Sequence, residues 1–138
     1  MSSPAEAKTA APKARPLSPH LQIYKPQITT TLSILHRIAG IVLSFGILVF
    51  TVWLAALASG PESYASFTSC AQSIVGQIVL FGISLAFFFH LCSGIRHLLW
   101  DSGKFMEIEQ VYRTGYIVIG ASLLLTLIVW LKVYGVSL

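Results

Sequence analysis

The chain has 138 residues, of which 55% are hydrophobic and only 10% charged, and it carries a net charge of +4 at pH 7. A soluble domain of this size needs far more charged side chain to cover its exterior, so the composition excludes one and points to an integral membrane protein. No stretch alternates polar and apolar residues as a barrel strand would, so the membrane-spanning elements are expected to be helices and the fold all-α.

Residues 1–14, rich in Ala, Pro, Ser and Lys, are expected to be a disordered tail. Their basic residues show no amphipathic spacing, so they do not read as an organelle-targeting peptide. Residues 15–138 are expected to form one three-helix membrane domain, with no internal repeat. The segment "LSPHLQIYKPQ" (17–27) opens that domain with two prolines bracketing a mixed sequence, and an extended, non-helical path is expected.

Three apolar runs follow, at 31–58, 74–100 and 116–133. Each reaches the roughly 18–20 residues that cross about 30 Å of hydrocarbon at about 1.5 Å per residue. The first is too long for a signal peptide and lacks a small-residue cleavage site after it. The connection between the first two runs, "ASGPESYASFTSCAQS" (58–73), reads as a loop with no Lys or Arg. By contrast, Lys8, Lys13, Arg15, Lys25 and Arg37 gather before or at the start of the first run, and Arg96, Lys104 and Arg113 around the second connection. The positive-inside rule therefore puts the N-terminus and the second connection on the cytoplasmic (or matrix) side. Lys132, at a helix end, is the exception and can snorkel. The net charge thus reflects topology, and no nucleic-acid partner is implied. Cys70 and Cys92 fall at different depths, which argues against a disulfide and leaves packing as the role of Cys92.

The polar residues inside the runs carry the functional reading. Ser33, His36 and Arg37 occupy the opening turns of the first run, and Arg96 and His97 return to the same level at the end of the second. His90 lies about 10 Å deeper, as a lone imidazole above that cluster. His90, Gly94 and His97 follow i, i+4, i+7 spacing and share one helix face, with Gly94 leaving it flat. A planar ligand with an axial imidazole and acidic groups at one edge, such as haem, matches that layout. Plainer roles exist for the same residues. A deep His can bond a neighbouring helix, Gly94 can be a close-packing site, and Arg37, Arg96 and His97 can anchor helix ends at headgroups. No other His or Met matches the depth of His90, so the iron is either five-coordinate or completed by a partner. Ser33 and Arg37, at i and i+4, share a face on which a hydroxyl and a fixed cation could hold a quinone carbonyl; Ser33 could equally be a helix-start hydroxyl.

Three motifs, "RPLSPHLQIYKPQ" (15–27), "SILHRIAG" (33–40) and "HLCSGIRHLLWD" (90–101), closely resemble the cytochrome b membrane-anchor subunit of succinate dehydrogenase, respiratory complex II. The resemblance runs from Arg15 into the third span. It implies haem b with His90 as the axial ligand to the iron and with His36, Arg37 and His97 near the propionates. It also implies a quinone site, ubiquinone or another quinone, at Ser33, Ile34 and Arg37. The implied partners are a second membrane-anchor subunit that supplies the other haem ligand, an iron–sulfur subunit, a flavoprotein subunit and the lipid bilayer. The chain itself has no dinucleotide or flavin fingerprint, so succinate chemistry is expected to reside in those partners. A bacterial cytoplasmic membrane is expected ahead of the mitochondrial inner membrane. The competing readings are a haem-free structural anchor and a proton-conducting subunit using His90 and His97 as a relay.

Overall fold

A computed structural model of the chain describes residues 25–135. The tail expected at 1–14, most of the 17–27 segment, and Lys8, Lys13, Arg15 and His20 lie outside the described residues. Four helices follow: α1 (Ile28–Ala58), α2 (Pro61–Gln72), α3 (Ile74–Asp101) and α4 (Ile108–Val133). Helices α1, α3 and α4 are each long and apolar enough to cross a membrane. No strand occurs among the described residues, and the all-α, three-span architecture expected from the sequence is the one observed.

Helix α1 starts at Ile28, slightly before the expected 31, and two larger differences from the sequence reading follow. The connection read as a loop contains the 12-residue helix α2. Its start is marked by Gly60 at φ 106°, Pro61 in the first turn and Glu62 at the positive end of the helix dipole. The mixed composition of α2 gives no apolar run, which is why a search for spans passes over it. Helix α4 begins at Ile108 and not at 116. Its first two turns carry Glu109, Gln110, Arg113 and Thr114, polar residues that can project beyond the hydrocarbon.

Local capping explains the sharp reversals. Ser73 alone separates α2 from α3; its hydroxyl donates to the Cys70 carbonyl (2.6 Å) and accepts from the Gly76 amide (3.1 Å), capping α3. Gly76 lies so close to the backbone of Cys70 and Ala71 that no Cβ fits there. At the other end of α3, Gly103 adopts φ 76° while its amide bonds to Trp100 and the Lys104 amide to Leu99. That paired arrangement closes the last turn of the helix and turns the chain toward α4.

Helix α3 is the centre of the bundle, antiparallel to α1 on one side and α4 on the other. Gly40 and Gly46 of α1 face His90 and Ile83 of α3, while Phe81 meets Trp130 of α4 and Gln77 accepts a hydrogen bond from Tyr134, the residue that caps α4. Helix α1 touches α4 where Leu32 and Ile28 close over Gly115. The interior is small and partly polar: Leu32, Ala39, Ser93, Arg96, Val118, Ser122 and Thr126 are buried. Large apolar side chains such as Ile41, Phe45, Leu48 and Ile74 point outward. This is the polarity of a bundle solvated by lipid, in which close backbone approach replaces hydrophobic burial as the packing force. Hydroxyls within the spans bond back to their own helix, as Ser44 does to Gly40, Ser84 to Leu80 and Thr126 to Ser122.

Candidate functional site

The sequence motif "HRIAG" (36–40) places an imidazole one turn before a glycine on α1. In the bundle that glycine matters because His90 packs directly over it. A Cβ at Gly40 would lie 3.3 Å from His90 Cε1, tighter than an ordinary contact. The absent side chain lets the His90 ring enter the α1–α3 seam, where it stacks on His36 with centroids 4.0 Å apart and planes 11° from parallel. His97 completes the group, its ring 5.1 Å from that of His36. Three imidazoles thus form one continuous cluster.

This corrects the sequence picture of His90 as a lone ring well above the others. Helix spacing along α3 separates His90 from His97, but His36 reaches across from α1 to fill the gap. The stacked face-to-face arrangement still does not make His36 a ligand on the opposite side of a metal from His90, because both rings then present their edges side by side.

The polar contacts of the cluster define what it can do. His90 Nδ1 lies 3.2 Å from the backbone carbonyl of His36. With its proton on Nδ1, His90 donates to that carbonyl and keeps the Nε2 lone pair free in the plane of the ring. Stacking covers a face of the imidazole and leaves that edge alone. A histidine backed through one nitrogen by a carbonyl is how metal-binding imidazoles are commonly oriented. His36 Nδ1 is buried and has no hydrogen-bond partner among the described residues, which costs free energy unless something else meets it. Beside Gly94 there is open space, with no atom within 4 Å of where a Cβ would sit. One backed imidazole, one unmet ring nitrogen and an open glycine face between His90 and His97 are a set of residues that could hold a haem.

The remaining expected residues fall on α1. Ser33 is half-buried, and Ile34 and Arg37 are exposed. Ser33 and Arg37 keep their i, i+4 relation on the same helix, one turn apart. They stand outside the ring cluster, on a part of α1 that this chain alone leaves open.

Arg96 departs from the headgroup-anchor reading. It is 4% exposed and turns toward α4, donating from Nε to Thr114 Oγ1 (3.0 Å) and from Nη2 to the Val111 carbonyl (2.8 Å). Its guanidinium also lies over the Trp100 ring, 3.9 Å from the centroid. Adjacent residues 96 and 97 therefore serve opposite seams, Arg96 the α3–α4 side and His97 the α1–α3 side. Gly40 and the Arg96–Thr114 pair were not singled out from sequence. The signal for Gly40 was its place one turn after His36 beside the small residue Ala39.

Comparison with known proteins bears on the chain as a whole. A model of the family described as succinate dehydrogenase/fumarate reductase transmembrane subunit matches residues 11–129. The chain is 46% identical over 116 residues to the succinate dehydrogenase cytochrome b556 subunit of Rickettsia felis, covering 84% of this chain and 90% of that one. It is 47% identical over 123 residues to the cytochrome b560 subunit of Reclinomonas americana, covering 85% of each. Against the cytochrome b556 subunit of Paracoccus denitrificans it is 40% identical over 114 residues, 83% of this chain and 88% of the relative.

Proposed function

The chain belongs to the succinate dehydrogenase/fumarate reductase transmembrane subunit family, and from that premise we propose that it is the haem-binding, quinone-facing cytochrome b anchor of a succinate:quinone oxidoreductase. It is a multi-pass membrane protein, and its relatives in Rickettsia and Paracoccus support a bacterial inner membrane. Membership implies that it works beside the other subunits of the enzyme.

In this reading His90 would hold the iron of haem b through its free ring nitrogen, and a histidine of a second anchor subunit would supply the other ligand. Bound haem contributes a one-electron carrier within the membrane. His36, His97 and Arg37 would hold its acidic groups, which would give the orphaned His36 nitrogen an acceptor and offset the positive charge at that end. Ser33 donates its hydroxyl to a quinone carbonyl, and Arg37 stabilises negative charge developing there, with Ile34 as an apolar wall. The guanidinium stays ionised even where water is scarce, so it can serve without giving up its own proton. Electrons reach the quinone from succinate through the flavoprotein and iron–sulfur subunits, which dock on the cytoplasmic side.

The observation that carries the proposal is the His90 Nδ1 contact to the His36 carbonyl, which points the free Nε2 edge away from the backbone. The test is a reduced-minus-oxidised absorption spectrum of the purified complex with its partner subunits identified. A b-type haem band with the iron–sulfur and flavoprotein subunits present is the expected result. A complex without that band is a haem-free anchor, and the proposal fails.

A further inference from the structure

The α3–α4 side holds a cavity of about 500 Å³ at the same end of the bundle as Ser33 and His97, but away from α1. Its lining changes along the axis. Arg96, Trp100, Gln110 and Arg113 stand at the end nearest the second connection, and Ile117 and Ala121 continue it toward the middle of the span. Arg113 to Ala121 is eight residues of α4, or about 12 Å of depth. The cavity is therefore cationic and hydrogen-bonding at one end and apolar at the other.

Arg96 gives the polar end its character. Both of its hydrogen bonds go to neutral oxygens, those of Thr114 and Val111, and its flat face is taken by Trp100. Those contacts orient the guanidinium without neutralising it, and a buried charge lacking a counter-ion is costly. A guanidinium carries five N–H donors, and these two bonds use only part of them. Arg113, exposed at the mouth, adds a second positive charge to the same space. Trp100 fixes the level of the site, because its Nε1 donates to the Phe105 carbonyl in the connecting loop, where interfacial tryptophans sit at headgroup depth.

We propose that this cavity is a binding site for one anionic phospholipid, its phosphate held between Arg96 and Arg113 and an acyl chain laid along Ile117 and Ala121. The amphiphilic lining selects this occupant. A free phosphate would leave the apolar half unfilled, and a neutral lipid would leave the Arg96 charge unmet. Arginine forms forked hydrogen bonds to phosphate oxygens, and Gln110 can reach the ester region next to them. The site makes no use of the imidazole cluster and is independent of the haem and quinone assignments.

The test uses the intact complex, stripped of lipid in detergent and titrated with phosphatidylglycerol or with phosphatidylcholine of the same chains. Bound lipid is counted by native mass spectrometry. Wild-type complex is expected to retain one phosphatidylglycerol that binds about tenfold or more tightly than phosphatidylcholine, from the loss of a charge-assisted contact. Arg113→Gln and, separately, Ala121→Leu should each weaken that lipid by about tenfold, whereas Arg113→Lys should retain most of it. Inorganic phosphate should fail to displace it. The proposal is overturned if the two lipids bind equally or if both weakening variants match wild type. It is equally overturned if inorganic phosphate competes as well as the lipid, or if the complex retains no lipid there because a partner helix fills the space.

Discussion

The two seams on either side of α3 treat polar groups in opposite ways. Along the α3–α4 seam, the hydrogen bonds run between side chains and oxygens of the facing helix: Arg96 reaches Thr114 and Val111, and Tyr134 reaches Gln77, although the Arg96 charge itself stays unpaired among the described residues. Along the α1–α3 seam, three imidazoles crowd together and one buried ring nitrogen has no partner among the described residues. Inside a membrane an unmet polar group is expensive, because lipid offers no substitute for water. The hydrogen bonds of the α3–α4 seam tie its two helices together, whereas the unmet His36 nitrogen lies inside the α1–α3 ring cluster.

The strongest way to break that contrast is His90→Ala. If the α1–α3 seam exists to hold haem, the purified variant complex should lose its b-type absorbance band while keeping its subunits and helix content. An unchanged spectrum would mean that the imidazoles pack the seam and do no more. The opposite seam should answer differently. Arg96→Leu removes two interhelical hydrogen bonds, though the Thr114 hydroxyl still donates to the Val111 carbonyl, so it should destabilise the complex by about 1 kcal/mol, measured by thermal unfolding in detergent, with the haem band in place. Loss of haem without loss of stability would show that Arg96 serves the α1–α3 side after all.

Ser33→Ala sharpens the comparison by separating quinone chemistry from haem. One hydroxyl hydrogen bond is worth roughly 0.5–1.5 kcal/mol, and more if its partner stays buried and unpaired. Quinone reduction should fall by about tenfold, with the haem band and succinate oxidation by an artificial acceptor unchanged. Arg37→Leu should remove quinone reduction more completely and disturb the haem as well. Wild-type turnover in Ser33→Ala would make Ser33 a helix-start hydroxyl. The smallest effect is expected from Gly40→Ala. Alanine favours a helix over glycine by about 1 kcal/mol, which offsets the tight contact with His90, so stability should hardly change. The displaced imidazole should instead shift the haem band, and a spectrum identical to wild type would show that Gly40 does not position the ring.

Much of the candidate site could be read from the chain because helix geometry turns spacing into direction. Ser33 and Arg37 lie one turn apart in the sequence and in the bundle alike. The relation between His36 and His90 was not readable, since they are 54 positions apart in the chain and their meeting depends on how far α1 slides along α3. Helix α2 escaped notice for a different reason: it is too polar to announce a span, and its Gly-Pro-Glu start is a short signal inside a Ser-rich stretch.

The sequence by itself determined the all-α class, the three spans and which polar side chains fall inside them, because lipid demands long apolar helices and tolerates few polar residues within them. Only the tertiary structure decided where those side chains go. Arg96 and His97 are neighbours in the chain, yet consecutive residues on a helix point about 100° apart. Which seam each one entered was set by where Gly40 let α1 approach α3 and where Gly115 let α1 and Arg96 close on α4. Those approaches are contacts between helices distant in sequence, and no local pattern encodes them.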